Sequence, residues 1–201
     1  MSFTEGSYEN ALIALFENMG YQHLYGPDIE RDYHTPFYEE QVLNSLSTVN
    51  PDKPLAAIHE AIAKLKDIDT GSLTQKNEIF MDYLQHGIEV SYHDGKEQRN
   101  ELVYLIDYKN IRKNDFQIIN QWTFVEHSEK RADLIVFING LPLVVMELKS
   151  PSREETDASE AYLQLRNYMK EIPSLFTYNV FCVMSDMACS KAGTITGKED
   201  R

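Results

Sequence analysis

The sequence predicts a layered α/β domain, and three observations lead to this fold class. Apolar residues recur at helical spacing through most of the chain before residue 87, whereas β-branched and aromatic residues dominate several short segments after it. Residues 132–149 contain two apolar runs joined by Asn139-Gly140, a dipeptide typical of tight β-hairpins. Because both runs are almost continuously apolar, we expect helices to cover both faces of the sheet that contains them.

Four helices are predicted in the N-terminal part of the chain. The first has Ser7 as a capping residue, apolar side chains at helical spacing and Gly20 at its end. The third places Ile58 and Ile62 on one apolar stripe. The predicted ranges are 7–19, 36–48, 54–66 and 74–86.

The strand signals begin where the helical spacing ends. Three segments, a hairpin and a last buried run have strand composition, and one helix followed by Pro173 lies between the hairpin and that last run. The predicted strands are 88–92, 101–107, 117–126, 132–138, 142–149 and 178–184, and the predicted helix is 156–171.

Composition limits the classes of function. The 201 residues include 19 basic and 32 acidic side chains, a net charge of −13, whereas a domain that holds nucleic acid by its own field is usually basic. The acidity is compatible with a divalent cation site. Cys182 and Cys189 suggest neither a disulfide framework nor a metal site, and the six histidines lack zinc-binding spacing. With no secretory signal and no membrane-length apolar run, the sequence indicates a cytoplasmic setting.

Three charged residues flank the apolar hairpin. Asp133 opens one strand, and Glu147 and Lys149, which share a face by alternation, close the other. A two-residue loop pairs residue 133 with residue 146 and turns Asp133 away, whereas a three-residue loop pairs 133 with 147. Because Pro142 has no backbone donor, the three-residue loop is favoured, and it brings all three charges to one face.

Such a trio is suited to phosphodiester hydrolysis. Two neighbouring carboxylates can hold Mg²⁺, which retains several waters and also accepts phosphate oxygens. Lys149 can orient or deprotonate the attacking water, or stabilise the developing negative charge. The alternative is an ordinary strand end with a solvated Glu–Lys pair, since Glu-x-Lys alone is frequent by chance.

The order Asp, then Glu-x-Lys, across a hairpin resembles the signature of the PD-(D/E)xK nucleases, although Ala132 stands where that name has proline. The longer amino-acid sequence around these residues closely resembles the N-terminal nuclease region of the R (restriction) subunit of type I restriction-modification enzymes. The resemblance covers residues 7–197 and is strongest over 106–197. It is carried by the segments IDYKNIRKNDFQIINQWTF, RADLIVFINGLPLVVMELKSP, AYLQLRNY and VMSDMACSKAGTIT.

The resemblance implies a restriction-endonuclease-like mixed sheet flanked by helices, with a helical insertion over 27–73. It implies one nuclease domain over 1–201, as a fragment of a longer subunit in which 190–201 starts the linker to an ATPase motor. The implied activity is Mg²⁺-dependent cleavage of double-stranded DNA after ATP-driven translocation, with methyltransferase and specificity subunits as partners. The alternative function is a non-catalytic module that docks the motor or these subunits.

The same resemblance assigns the site residues. Asp133, Glu147 and Lys149 are the implied catalytic triad, with Asp133 and Glu147 as metal ligands. Gln164 and Tyr168 are the implied Q-x-x-x-Y element that positions substrate phosphate or the triad. Their helical spacing from Ala161 and Leu165 supports a shared buried face, and the alternative is a polar pair at the helix margin.

Glu9 can be interpreted in two ways, and residues 193–198 do not form a predicted nucleotide site. Glu9 shares a helix face with Leu12 and Phe16. In related nucleases an acidic residue of the first helix approaches the metal, but a glutamate in a first turn also suits the helix dipole. Residues 193–198 read GTITGK, one residue short of a phosphate-binding loop, so no ATP site is predicted in this chain.

Overall fold

A computed structural model of the protein describes residues 4–93, 95–149, 158–186 and 189–197. The helices are α1 (Glu5–Asn18), α2 (Glu39–Val49), α3 (Leu55–Lys66), α4 (Leu73–His86), α5 (Ala158–Glu171) and α6 (Pro173–Thr177). The strands are β1 (Gln22–Tyr25), β2 (Ile88–His93), β3 (Gln98–Val103), β4 (Phe116–Val125), β5 (Glu129–Ile138), β6 (Leu141–Leu148), β7 (Phe181–Ser185) and β8 (Ser190–Gly193).

Six strands form one mixed sheet in the order β1-β4-β5-β6-β7-β8. The pairs β1–β4 and β6–β7 are parallel, and the remaining neighbours are antiparallel. On one face Ile13 of α1 packs with Ile118 and Leu134, and on the other Leu165 of α5 packs with Ile135. The predicted class, a mixed sheet flanked by helices as in restriction endonucleases, is therefore confirmed.

A third core lies beside the main sheet. Helices α2, α3 and α4 bury Leu46, Ile58 and Phe80 together with Ile88 and Val103 of the separate β2–β3 hairpin. The apolar stripe predicted on α3 faces this core. Helices α2 and α3 both fall within residues 27–73.

The start of α1 differs from the prediction. Thr4, not Ser7, is the N-cap, and Ser7 is the third helical residue of a capping box in which the two hydroxyl side chains satisfy each other's backbone amides. Helix α4 begins in the same way at Ser72 and Gln75. In α1 the capping residue and its box partner are both small hydroxyl residues, so composition does not distinguish the two positions.

Two strands and one α-helix of the described residues have no counterpart in the sequence-based prediction: β1, β8 and α6. Strands β1 and β8 have four residues each and lie at the two edges of the sheet, where they lack the apolar runs of buried strands. Residues 190–193, expected to start a linker, pair antiparallel with β7. The N-terminal end of the 156–171 helix and residues 198–201 extend outside the described residues.

The β5–β6 turn corrects the predicted loop. Asn139 and Gly140 both have positive φ, 53° and 78°, and form a two-residue turn. Ile138 pairs with Leu141, but the register shifts between Val136 and Phe137 so that Leu134 pairs with Met146. The three-residue loop is therefore wrong. The register it was meant to explain is nevertheless present, because a bulge in β6 supplies the extra residue.

Gly140→Ala is expected to destabilise the protein by about 2–3 kcal/mol. A Cβ at this position would lie 2.7 Å from both Tyr38 O and Val42 N, and the backbone is left-handed. The matched control is Gly20→Ala, which has φ +95° but no heavy atom within 4 Å of the added Cβ. Urea denaturation should show the larger loss for Gly140→Ala, and equal losses would contradict the role assigned to close packing.

Candidate active site

The end of the central hairpin brings the predicted trio together. Because Leu134 pairs with Met146, Asp133 follows in the ladder next to Glu147. The backbone amide of Leu148 donates to Oδ2 of Asp133 at 2.9 Å, which ties the carboxylate to β6. The trio therefore lies at the C-terminal end of β6, where this strand runs beside Asp133 of β5.

A chain of hydrogen bonds connects the trio to α5. Nζ of Lys149 donates to Oε1 of Glu147 at 2.7 Å and to Oε1 of Gln164 at 2.9 Å. Nε2 of Gln164 donates to the Tyr168 hydroxyl at 2.7 Å, and that hydroxyl donates to the carbonyl oxygen of Arg131 at 3.1 Å. The structure thus places Glu147, Lys149, Gln164 and Tyr168 in one connected cluster.

Burial and charge perturb two of these groups. Glu147 is 1% exposed, and its pKa is raised to about 8 by burial and then by the negative charge of Asp133, an effect that Lys149 partly offsets. Burial and the nearby Glu147 also raise the pKa of Tyr168. Tyr168 therefore remains a hydrogen-bond donor at neutral pH, and burial beside Asp133 favours the protonated form of metal-free Glu147.

One oxygen atom of Glu147 is buried without a hydrogen-bond partner among the described residues. Oε2 of Glu147 accepts no hydrogen bond from the residues that the structure describes, although a buried carboxylate oxygen normally has one. Within the described parts of the chain, no group of three His, Cys, Asp or Glu side chains could hold a metal ion. Two adjacent carboxylates are a ligand set that a hard cation such as Mg²⁺ accepts when waters complete its coordination.

Glu9 lies against a different pair of residues. Its two carboxylate oxygens accept hydrogen bonds from Nδ2 of Asn120 at 2.7 Å and from Nε2 of Gln121 at 3.0 Å. The first helix therefore reaches β4, the strand next to Asp133. The structure does not bring Glu9, Asp133 and Glu147 into one three-residue metal group of described residues.

Sequence reasoning missed the residues that surround the cluster. Asn120 and Gln121 form a polar pair within the otherwise largely apolar stretch IINQWTF, and this interruption is a signal that could have identified them. Ser185 of β7 accepts the Lys149 amide on its carbonyl oxygen at 2.8 Å, and its hydroxyl lies 2.6 Å from that of Tyr8. No sequence pattern indicates this second contact, because its partners are 177 positions apart.

The mixed six-stranded sheet is flanked by helices, two adjacent central strands carry an acidic pair, and a lysine directly follows one of these strands. This arrangement is that of a nuclease-like class of fold. The comparison with known families is more specific. Residues 2–201 match the family described as "Type I restriction enzyme R protein N terminus". The chain belongs to this family.

Curated relatives have consistent names. The chain is 30% identical to the "Type I restriction enzyme HindI endonuclease subunit" of Haemophilus influenzae, over 98% of this chain and 20% of that protein. It is also 30% identical to the "Putative type I restriction enzyme MjaIXP endonuclease subunit" of Methanocaldococcus jannaschii, over 96% of this chain and 19% of that protein. The chain therefore spans about a fifth of the length of these two relatives.

A third relative is shorter. The "Type I restriction enzyme EcoprrI endonuclease subunit" of Escherichia coli is 29% identical, over 98% of this chain and 61% of that protein.

Among the residues that the structure describes, no helix has the length and apolar character needed to span a membrane.

Proposed function

We propose that this chain is the Mg²⁺-dependent nuclease domain of a type I restriction enzyme and that it hydrolyses phosphodiester bonds of double-stranded DNA. The observation that carries the proposal is Glu147, which is buried beside Asp133 and Lys149 and has one oxygen without a partner in the described part of the chain. A buried carboxyl group without a full set of partners destabilises the fold. Such an arrangement is understandable if a cation completes it during function.

The residues present fit a bound cation and a reacting phosphate. Asp133 and Glu147 would hold the cation, which supplies positive charge and Lewis acidity beside the scissile phosphate. Lys149 directs two of its three ammonium donors at Glu147 and Gln164, so its nitrogen is held next to the Glu147 carboxyl group. From there it can orient the attacking water or stabilise charge that develops on the phosphate oxygens.

Gln164 and Tyr168 have supporting roles in this proposal. Gln164 accepts from Lys149 and donates to Tyr168, so it fixes the direction of the lysine side chain. Tyr168 is anchored on the Arg131 carbonyl, and its raised pKa keeps its proton in place. Both side chains therefore transmit the position of α5 to the charged groups on β6.

We also propose that cleavage follows ATP-driven translocation by other parts of the subunit, in a complex with methyltransferase and specificity subunits. Two observations support this. The chain covers only a fifth of the two relatives named as endonuclease subunits, and its net charge of −13 is unsuited to holding DNA alone. Basic surfaces elsewhere in the complex would then hold the DNA while this domain cuts it.

The direct test is Asp133→Asn in the assembled enzyme. Asparagine retains an oxygen for the Leu148 amide but removes the charge that a cation requires. We expect DNA cleavage to be lost while DNA-dependent ATP hydrolysis continues, as measured in parallel assays. Asp67→Asn, on the exposed end of α3, is the matched control and should cleave normally. Normal cleavage by Asp133→Asn would instead favour the non-catalytic docking module.

A further inference from the structure

Two consecutive residues of β4 place their side chains on the same face of the sheet. Asn120 and Gln121 both donate to the Glu9 carboxylate on α1, although neighbouring residues of a regular strand point in opposite directions. The backbone explains this, because Gln121 has a φ of +56°, in the left-handed region that residues other than glycine rarely adopt. Strand β4 is therefore locally broken at Gln121.

The break lies opposite Asp133. In the β4–β5 ladder Asn120 pairs with Leu134 and Trp122 pairs with Ala132, so Gln121 and Asp133 occupy the position between these pairs. Strict alternation also fails across this position. Ile119 and Trp122 on β4, and likewise Ala132 and Ile135 on β5, are three residues apart, yet all four side chains lie in the core beneath α5. In both strands, the regular alternation of side chains between the two faces of the sheet is therefore interrupted at the level of Asp133.

The broken segment is held from two further directions. A Cβ on Gly26 would lie 2.7 Å from the backbone carbonyl oxygen of Gln121 and 2.9 Å from that of Asn120. Glycine at position 26 therefore allows the turn after β1 to pack against this backbone. Nε2 of His23 lies 2.9 Å from Oδ1 of Asn120, which orients the asparagine amide so that Nδ2 faces Glu9. A left-handed non-glycine residue persists only where such contacts determine its conformation.

From this geometry we infer that Glu9 is a positioning residue: through Asn120 and Gln121 it holds the break in β4 that directs the Asp133 carboxylate toward β6. The two amide-to-carboxylate hydrogen bonds are charge-assisted and engage both oxygens of Glu9. The inference rests on the proposed nuclease function and assigns Glu9 a role distinct from metal ligation.

The test compares Glu9→Ala with Glu9→Gln. Glutamine can accept from Asn120 and donate to Gln121 once the Gln121 amide turns over, so it retains both contacts without the charge. Alanine loses both. In calorimetric titrations of the chain with Mn²⁺, we expect Glu9→Ala to raise the Kd about 10-fold, as loss of a supporting residue does in metal sites. Cleavage by the assembled enzyme should fall to a similar extent.

Glu9→Gln should restore most of both properties. Glu17→Ala removes an exposed carboxylate from the same helix and serves as the control for helix stability and surface charge. Equal damage from glutamine and alanine at position 9 would overturn the inference, because only a charge-dependent role such as metal ligation predicts it. A lower melting temperature for Glu9→Ala with an unchanged Mn²⁺ Kd would overturn it too, because the residue would then act on stability alone.

Asp133→Asn separates this inference from the proposed function. If Asp133→Asn leaves Mn²⁺ binding and cleavage intact, the nuclease proposal fails and the role of Glu9 fails with it. If Asp133→Asn abolishes both properties whereas Glu9→Ala changes neither, the nuclease proposal stands and only the positioning role fails.

Discussion

Glu147→Gln in the assembled enzyme is expected to slow DNA cleavage by at least about 10³-fold without loss of ATP hydrolysis. Glutamine nearly preserves the volume of the buried side chain but removes the charge that attracts a cation. The glutamine side chain can also place its amide nitrogen toward Nζ of Lys149, which in the wild type donates to Oε1 of Glu147 at 2.7 Å. Single-turnover cleavage and ATPase rates measure the two activities, and an unimpaired cleavage rate would contradict the role of Glu147.

The same substitution should stabilise the metal-free chain, and the gain should depend on pH. The pKa of Glu147 is about 8 in the folded protein and ordinarily 4.5, so between these values the folded state holds a proton that the unfolded state has released. Wild-type stability should therefore decline as pH rises from about 4.5 to about 8, since the unfolded state binds fewer protons in that range. Glutamine does not titrate, and its advantage should be larger at pH 8 than at pH 5.

Thermal melts at these two pH values measure the effect. Glu129→Gln, an exposed glutamate at the start of the same hairpin, is the matched control and should change stability little at either pH. A Glu147→Gln advantage that is equal at pH 5 and pH 8 would show that Glu147 does not carry the raised pKa.

The metal response completes this prediction. A cation that binds only the folded chain stabilises it by about RT ln(1 + [L]/Kd), so millimolar Mg²⁺ or Mn²⁺ should raise the wild-type melting temperature. Glu147→Gln should flatten this response, because it removes one of the two carboxylates proposed as ligands. If both proteins show the same shift, the cation binds elsewhere on the acidic surface.

Asn139→Ala is expected to cost about 3 kcal/mol of folding free energy. Asn139 is fully buried at the hairpin turn, where its Oδ1 accepts from the Asp115 amide at 2.8 Å. Its Nδ2 donates to the Leu105 carbonyl and to Oδ1 of Asn114, each at 2.8 Å. Alanine would remove the side-chain partner of the Asp115 amide and of the Leu105 carbonyl, and Oδ1 of Asn114 would keep only its hydrogen bond from the Asp107 amide. Alanine would also have to adopt a φ of +53°.

Asn139→Gly distinguishes the two contributions to this loss. Glycine removes the same three hydrogen bonds but adopts the left-handed conformation without steric cost, so it should be about 1 kcal/mol less destabilising than alanine. Urea denaturation of the three proteins gives the comparison. A loss below about 1 kcal/mol for both variants would contradict the role of the asparagine amide, since each unsatisfied buried group alone costs that much.

Much of the site could be predicted because its determinants are local in sequence. The two apolar runs and Asn139-Gly140 define a buried hairpin, and alternation alone places Glu147 and Lys149 on one face. Helical spacing likewise directs Gln164 and Tyr168 to one side of α5. The amino-acid sequence around these residues also indicates the family, and the comparison with known families confirmed it.

The rest of the fold depends on contacts between distant residues. Strands β1 and β8 are short edge strands whose partners, β4 and β7, supply most of their stabilisation, so their own sequences carry little strand signal. The loop of the central hairpin was mispredicted for a related reason. A bulge in β6 depends on how two strands pair, and pairing is not a property of either strand alone.

By itself, the sequence determined which residues carry the charge and which strands and helix hold them, because periods of two and of 3.6 residues are local properties of the chain. Only the tertiary structure decided how those charges behave. Burial of Glu147 beside Asp133 raises its pKa, and Glu9 meets Asn120 and Gln121 more than 100 positions away. Dielectric environment and long-range hydrogen bonds exist only once the sheet and its helices have packed, so no local pattern encodes them.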